Sequence, residues 1–122
     1  MDRGIWATWY DVAPERKAEY LDWLHKNYLP KMLQRPGYLW AAHIENNNSP
    51  ERAAFTRKRY LYTDDPSVGT GNDFLLLFGG ENAHSFLNPD RKQIAAEATA
   101  ADREMLELQL RSRYGVFTEI ER

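Results

Sequence analysis

The chain is 122 residues long, without cysteine, and its 16 basic and 18 acidic residues leave a formal charge of −2. One ordinary domain has this length and can bury roughly two thirds of the surface its unfolded form exposes. No block of one charge sign, no N-terminal apolar run like a signal peptide and no ~20-residue apolar span is present, so nucleic acid, membranes, disulfide frameworks and thiolate chemistry are set aside and a soluble, cytoplasmic protein is expected.

Gly4 to Val12 has the β-branched and aromatic content of a strand and ends at Ala13-Pro14. Its alternating sets are Ile5, Ala7, Trp9 and Trp6, Thr8, Tyr10, Val12; both are largely apolar, so both faces should be covered. Pro14 suits a first helical position and Glu15 the positive end of a helix dipole, with Asp11 placed to offer a carboxylate to the exposed amides. Along this helix Leu21, Leu24, His25, Tyr28 and Met32 fall on one side of a 3.6-residue repeat, while Glu19, Trp23 and Lys26 fall on the other. Trp23 is thus out of phase, and a long loop or a partner subunit is expected to bury it. Pro30 has no amide to donate and should kink or break the helix, leaving a last turn over Lys31 to Gln34 before Arg35-Pro36-Gly37.

Tyr38 to Glu45 follows as a second strand, with Tyr38, Trp40, Ala42 and Ile44 on one face and Leu39, Ala41, His43 and Glu45 on the other. Residues 46–73 are polar and turn-rich, a long inserted loop or hairpin whose run Phe55 to Thr63 suits an extra strand. Asp73 to Phe78 is a short apolar run suited to a central strand and ends at Gly79-Gly80. A helical turn over Glu81 to Leu87 and the Asn88-Pro89 pair lead into a helix to about Ser112, with Ile94, Ala98, Ala101, Met105 and Leu108 on its stripe. Leu106 and Leu110 form a side stripe that another surface should cover. Tyr114 to Ile120 is the last strand. No repeat or linker divides residues 1–122, so a single domain is expected.

The order strand, helix, strand, strand, helix, strand predicts an α+β fold with two helices on one face of a four-stranded antiparallel sheet. Its second face stays apolar and predicts a homodimer with two sheets face to face.

The stretch "DVAPERKAEYLDWLHKNYLPKMLQRPGYLWAAHI" resembles the dimeric α+β barrel proteins of ferredoxin-like βαββαβ topology, and among them the EthD-like and antibiotic-biosynthesis-monooxygenase-like small proteins. The resemblance rests on "D-V-x-P-E", a helix ending in "L-P" and a "P-G-Y" turn, and extends more loosely to "DFLLLFGGENAHSFLNP". It implies a dimeric barrel and a range of activities that includes isomerases, cofactor-free oxygenases, haem-handling proteins, cyclases and lyases. Where many relatives have histidine before "L-P", this chain has Tyr28, with His25 three positions earlier. Haem-degrading members use tryptophan, asparagine and histidine, but Trp23 and Asn27 here share the outer face of the repeat, so no haem is expected.

The chemistry-bearing candidates follow from residue type. His25 stands beside Tyr28 on the apolar stripe, and imidazole gains and loses protons near neutral pH. His43 shares its face with Glu45, which can orient the ring; His84 is placed for a pocket mouth, Trp9 and Trp40 for pocket walls, and Tyr60 and Tyr62 for a lid. The three histidines have no recognised ligand spacing, so no metal is expected, and neither a phosphate loop nor a nucleophile elbow is present. The expectation is a pocket between the first helix and the sheet for a small apolar, aromatic or polyketide-like ligand. Any catalysis would be cofactor-free, with His25 or His43 as acid or base and Tyr28 as donor. A non-catalytic binding or accessory protein and a haem or metal oxygenase are the alternatives.

Overall fold

The computed structural model describes residues 3–46 and 49–120. Four strands, β1 (Gly4–Asp11), β2 (Tyr38–Glu45), β3 (Phe74–Gly80) and β4 (Leu110–Thr118), form one antiparallel sheet in the order β2-β3-β1-β4, which is the ferredoxin-like arrangement. The apolar β3 run takes an interior place beside β1, as a strand greasy on both faces should. One face carries Trp6, Thr8 and Tyr10 opposite Phe78, Leu76 and Phe74, and is covered by helices. Ile5, Ala7 and Trp9, with Trp40, Ala42, Ile44, Leu75, Leu77 and Phe117, alternate onto the second face.

Strand β2 does not keep a single parity. The pairing shifts between Tyr38 and Trp40, an irregularity that turns Tyr38 onto the helix-covered side. There it is buried, with its ring 5.7 Å from Phe78 and 5.0 Å from Phe86. Trp40 stays on the second face and lies across Gly79, occupying the space a Cβ there would need.

The first helical region runs as a 3-10 turn (Pro14–Arg16), α1 (Lys17–Trp23), a π turn (Leu24–Tyr28) and α2 (Leu29–Met32). The helix is therefore not broken at Pro30. The proline ring crowds the carbonyl four residues back and supplies no amide, and the wider turn just before it accommodates both, with the Leu29 amide donating to the Leu24 carbonyl. One wide turn also rotates everything downstream of it. Trp23 and Tyr28, five apart, stack with centroids 4.9 Å apart, and both are buried. This corrects the expectation for Trp23, which belongs to the core; His25, by contrast, is exposed. The Trp23 indole donates to Asp102 at 3.0 Å, and Lys31 pairs with the same carboxylate, which those two donors hold below its ordinary pKa.

Asp11 has a different role from the helix cap expected of it. It accepts from the Asp73 amide and from Arg111, each at 2.7 Å, tying the ends of β1, β3 and β4 together. Burial pushes its carboxyl up, but those donors more than offset this and leave it below its ordinary value.

Two further elements differ from expectation. The run Phe55 to Thr63 is not a strand: α3 (Pro50–Tyr60) spans most of it. Ser49 caps this helix by accepting from the Arg52 amide, Pro50 opens it, Glu51 lies in its first turn and Arg57, Lys58 and Arg59 in its last, all of which favour a helix more than the aromatic alternation favours a strand. The long second helix is two short ones, α4 (Arg91–Glu97) and α5 (Ala100–Leu106), preceded by a 3-10 turn (Ala83–Phe86). Ala98 is extended and the Thr99 hydroxyl accepts from the Asp102 amide, a local bond that starts a new helix instead of continuing the old. Leu110 consequently begins β4, and Leu106 faces the sheet.

Candidate functional site

A cavity of about 290 Å³ lies between the helix-covered face of the sheet and α4 and α5. Its floor is Trp6, Thr8, Leu76 and Phe78 from the sheet; Tyr28 comes from the π turn, Ile94, Ala95 and Leu106 from the later helices, and Arg91, Lys92 and Gln109 complete the wall. The lining is mostly apolar with a few polar tips, the usual make-up of a small-molecule site. One tip stands out energetically. The Trp6 indole N–H is buried and has no hydrogen-bond partner, and an unmet buried donor costs about 1–3 kcal/mol. Burial also pushes the Tyr28 hydroxyl well above its ordinary pKa, so it stays protonated and can donate but cannot serve as a base near neutrality.

A second cluster lies on the same sheet face nearer β2. The Tyr10 hydroxyl and His43 Nε2 are hydrogen-bonded at 2.6 Å, and the His43 ring stacks on Phe74 with centroids 5.1 Å apart. Burial, then the neighbouring His25, pull His43 down to about 4 against a weaker opposing effect of Glu45, so its imidazole is neutral at pH 7. Tyr10 meets Tyr20 edge to face at 5.6 Å, and Gln109 Nε2 donates to the Tyr20 hydroxyl at 2.9 Å. Gln109 also lines the cavity. Two polar pairs, Gln109–Tyr20 and Tyr10–His43, therefore lie side by side in an aromatic core between the cavity wall and a half-buried histidine.

The structure separates the sequence-predicted residues. Of His25, Tyr28 and His43, only Tyr28 lines the cavity. His25 is exposed and lies edge-on to His43 at 5.6 Å; the π turn is what parts it from Tyr28. Trp9 and Trp40 are on the opposite face of the sheet, where Trp9 meets Phe117 edge to face. Tyr62 is 88% exposed just beyond α3, Tyr60 is exposed on that helix, and His84 is exposed in the 3-10 turn. The three histidines do not converge, and among the described residues no cluster of three or more metal-ligating side chains forms. Trp23 points inward and Asn27 outward, so those two do not share a face.

Sequence reasoning passed over Trp6, Thr8, Gln109, Arg91 and Lys92. The strand parity that put Trp9 on one face put Trp6, Thr8 and Tyr10 together on the other, and that signal was available. Gln109 offered none, because it was expected inside a helix that in fact ends before it.

Neither a protein-family model nor a curated protein matches this sequence. Several solved structures match it in shape. A monooxygenase from the gene ActVA-Orf6 of Streptomyces coelicolor, solved with the ligand nanaomycin D, superposes with a TM-score of 0.56 at 11% identity, covering 99% of this chain and 89% of that one. An ethyl tert-butyl ether D (EthD) family protein from Bacillus halodurans C-125 matches with a TM-score of 0.52 at 11% identity, over 98% and 100% of the two chains. A dimeric ferredoxin-like protein of unknown function from Thermobifida fusca YX matches with a TM-score of 0.50 at 11% identity, over 97% and 92%. The chain thus has the ferredoxin-like α+β fold found in dimeric α+β barrel proteins, and identities this low speak to fold alone.

Proposed function

We propose that this is a homodimeric α+β barrel protein of the cytoplasm that binds a small apolar, aromatic or polyketide-like metabolite in the cavity above Trp6 and Thr8. The observation that carries the proposal is Trp6, which lines a mostly apolar cavity and whose buried N–H has no partner among the described residues. A ligand with a carbonyl or quinone oxygen would supply the missing acceptor, and Tyr28, held protonated, would be a second donor in the same cavity. Catalysis, if the bound molecule reacts, is cofactor-free proton transfer. Gln109 and the Tyr20 and Tyr10 rings stand between the cavity wall and His43, so His43 acts at a distance and Tyr28 at the ligand. The likeness to a monooxygenase solved with nanaomycin D supports such a ligand class for this chain. That no histidine lines the cavity favours simple binding as the second reading.

Titration of the protein with 2-naphthamide, a neutral fused-ring carbonyl compound, tests this. Binding should weaken about tenfold in Trp6→Phe, equivalent to about 1.4 kcal/mol, and should disappear in Leu106→Trp, whose side chain fills the cavity. Full affinity in both variants would remove the cavity from consideration as the site.

A further inference from the structure

We infer that the ligand of this cavity is an acid ionised at neutral pH, its anionic oxygens held at the mouth by Arg91 and Lys92 and its ring system seated on Trp6, Leu76 and Phe78; the inference rests on the proposed binding function and narrows its ligand class.

The charge of the lining is one-sided. Arg91 and Lys92 both border the cavity and, among the described residues, no aspartate or glutamate does, although the chain as a whole carries a charge of −2. Neither cation forms an ion pair among the described residues, whereas Arg16, Lys17, Lys26, Lys31 and Arg111 all do. Arg91 is also held in place. Its guanidinium lies over the Tyr114 ring, 4.5 Å from the centroid, on the strand that borders β1. Stacking on an aromatic face occupies the flat side of the guanidinium and leaves its rim of N–H donors free, which is the edge that grips a carboxylate in two-point fashion. A half-buried cation that is already oriented loses less freedom on binding than a solvated lysine would.

The remaining polar groups agree. Trp6, Tyr28, Arg91 and Lys92, four of the polar or polar-tipped lining residues, are hydrogen-bond donors at neutral pH. The apolar floor would exclude a small hydrophilic anion, and a volume of about 290 Å³, at the low end of the roughly 300–1,000 Å³ of ligand pockets, suits a compact ring system. Together these describe an aromatic or polyketide-like acid.

The experiment compares 2-naphthoate with 2-naphthamide, which share a ring system and differ in charge, by calorimetric titration of the whole chain. The wild type should bind naphthoate at least about tenfold more tightly, a preference that shrinks as salt is raised. Arg91→Gln should remove most of the preference while the far-ultraviolet spectrum and the urea unfolding midpoint stay those of the wild type, which shows the fold intact. Arg91→Lys should keep part of the preference, and Lys92→Gln should reduce it. Equal affinity for the two probes in the wild type, or a preference that survives in the Arg91→Gln, Lys92→Gln double variant, would overturn the acid and leave the binding function standing. If neither probe binds the wild type, the binding function falls and the acid with it.

Discussion

Both faces of the sheet carry aromatic rings, the covered face more of them, yet the rings are used differently on the two. On the covered face the rings carry polar tips that are paired, as Tyr10 is with His43, or conspicuously unpaired, as Trp6 is beside a cavity. On the second face Trp40 lies across Gly79 and the Phe117 ring lies over Gly115, so that rings fill glycine gaps and present flat apolar surface. Trp40, Ile44 and Phe117 remain 42%, 48% and 50% exposed there. Aromatic content alone therefore does not identify a ligand site. What separates a pocket wall from an association surface is whether the polar atom of each ring has somewhere to point.

The contrast is testable first through two neighbours on β3 that face opposite ways. Phe78 is 2% exposed and packs against Trp6, Tyr28 and Tyr38, so Phe78→Ala should cost about 3–5 kcal/mol in denaturant unfolding. Leu77→Ala, on the half-buried second face, should cost clearly less in the isolated subunit. Equal losses would mean that the second face is covered as tightly as the first.

The next effect falls on association. Trp40→Asp places a charge on the apolar second face, on its edge strand β2, and sedimentation equilibrium should show the mass fall from dimer to monomer while the far-ultraviolet spectrum is retained. A wild type that sediments as a monomer at all concentrations would break the comparison at its second term.

The strands and their order were legible because period-two alternation in "GIWATWYD" and the apolar run "DFLLLF" are short-range signals, each contained in one element. The errors came where one residue changed the phase. Trp23 shares the buried side of α1 with Tyr20, ahead of the wide turn; that turn, at Leu24–Tyr28, brought Tyr28 onto the same side and left His25 outside, and one irregular residue pair in β2 moved Tyr38 to the other side of the sheet. Periodicity assumes a constant repeat and cannot announce its own interruption. Thr99 shows the same limit from another direction: its hydroxyl was a visible cap, but a regular stripe of small residues ran through it. The cavity was the least legible feature, since Trp6, Tyr28, Arg91 and Gln109 meet only through tertiary packing.

The smallest effect concerns the histidine at the edge of the covered face, and its sign can be worked out. His43 ionises at about 4 in the folded protein, well below the ordinary histidine value near 6.5. Between those two values the unfolded chain takes up a proton that the folded one refuses, so unfolding binds protons and stability falls as pH drops from about 6.5 toward 4. Below the folded value both states are protonated and this contribution levels off. The groups around the ring set the shift: burial against Phe74 and Tyr10 and the nearby His25 lower it, and Glu45, which is itself paired with Lys17, acts weakly the other way. His43→Gln keeps a hydrogen-bonding partner for the Tyr10 hydroxyl but cannot titrate. Urea unfolding at about pH 7 and about pH 5 should therefore show a smaller loss of stability in the variant than in the wild type, with carboxylates such as Asp11 and Asp102 contributing alike to both. Parallel losses would show that His43 titrates freely, and with that the covered face would lose its claim to isolate the Tyr10–His43 pair from water.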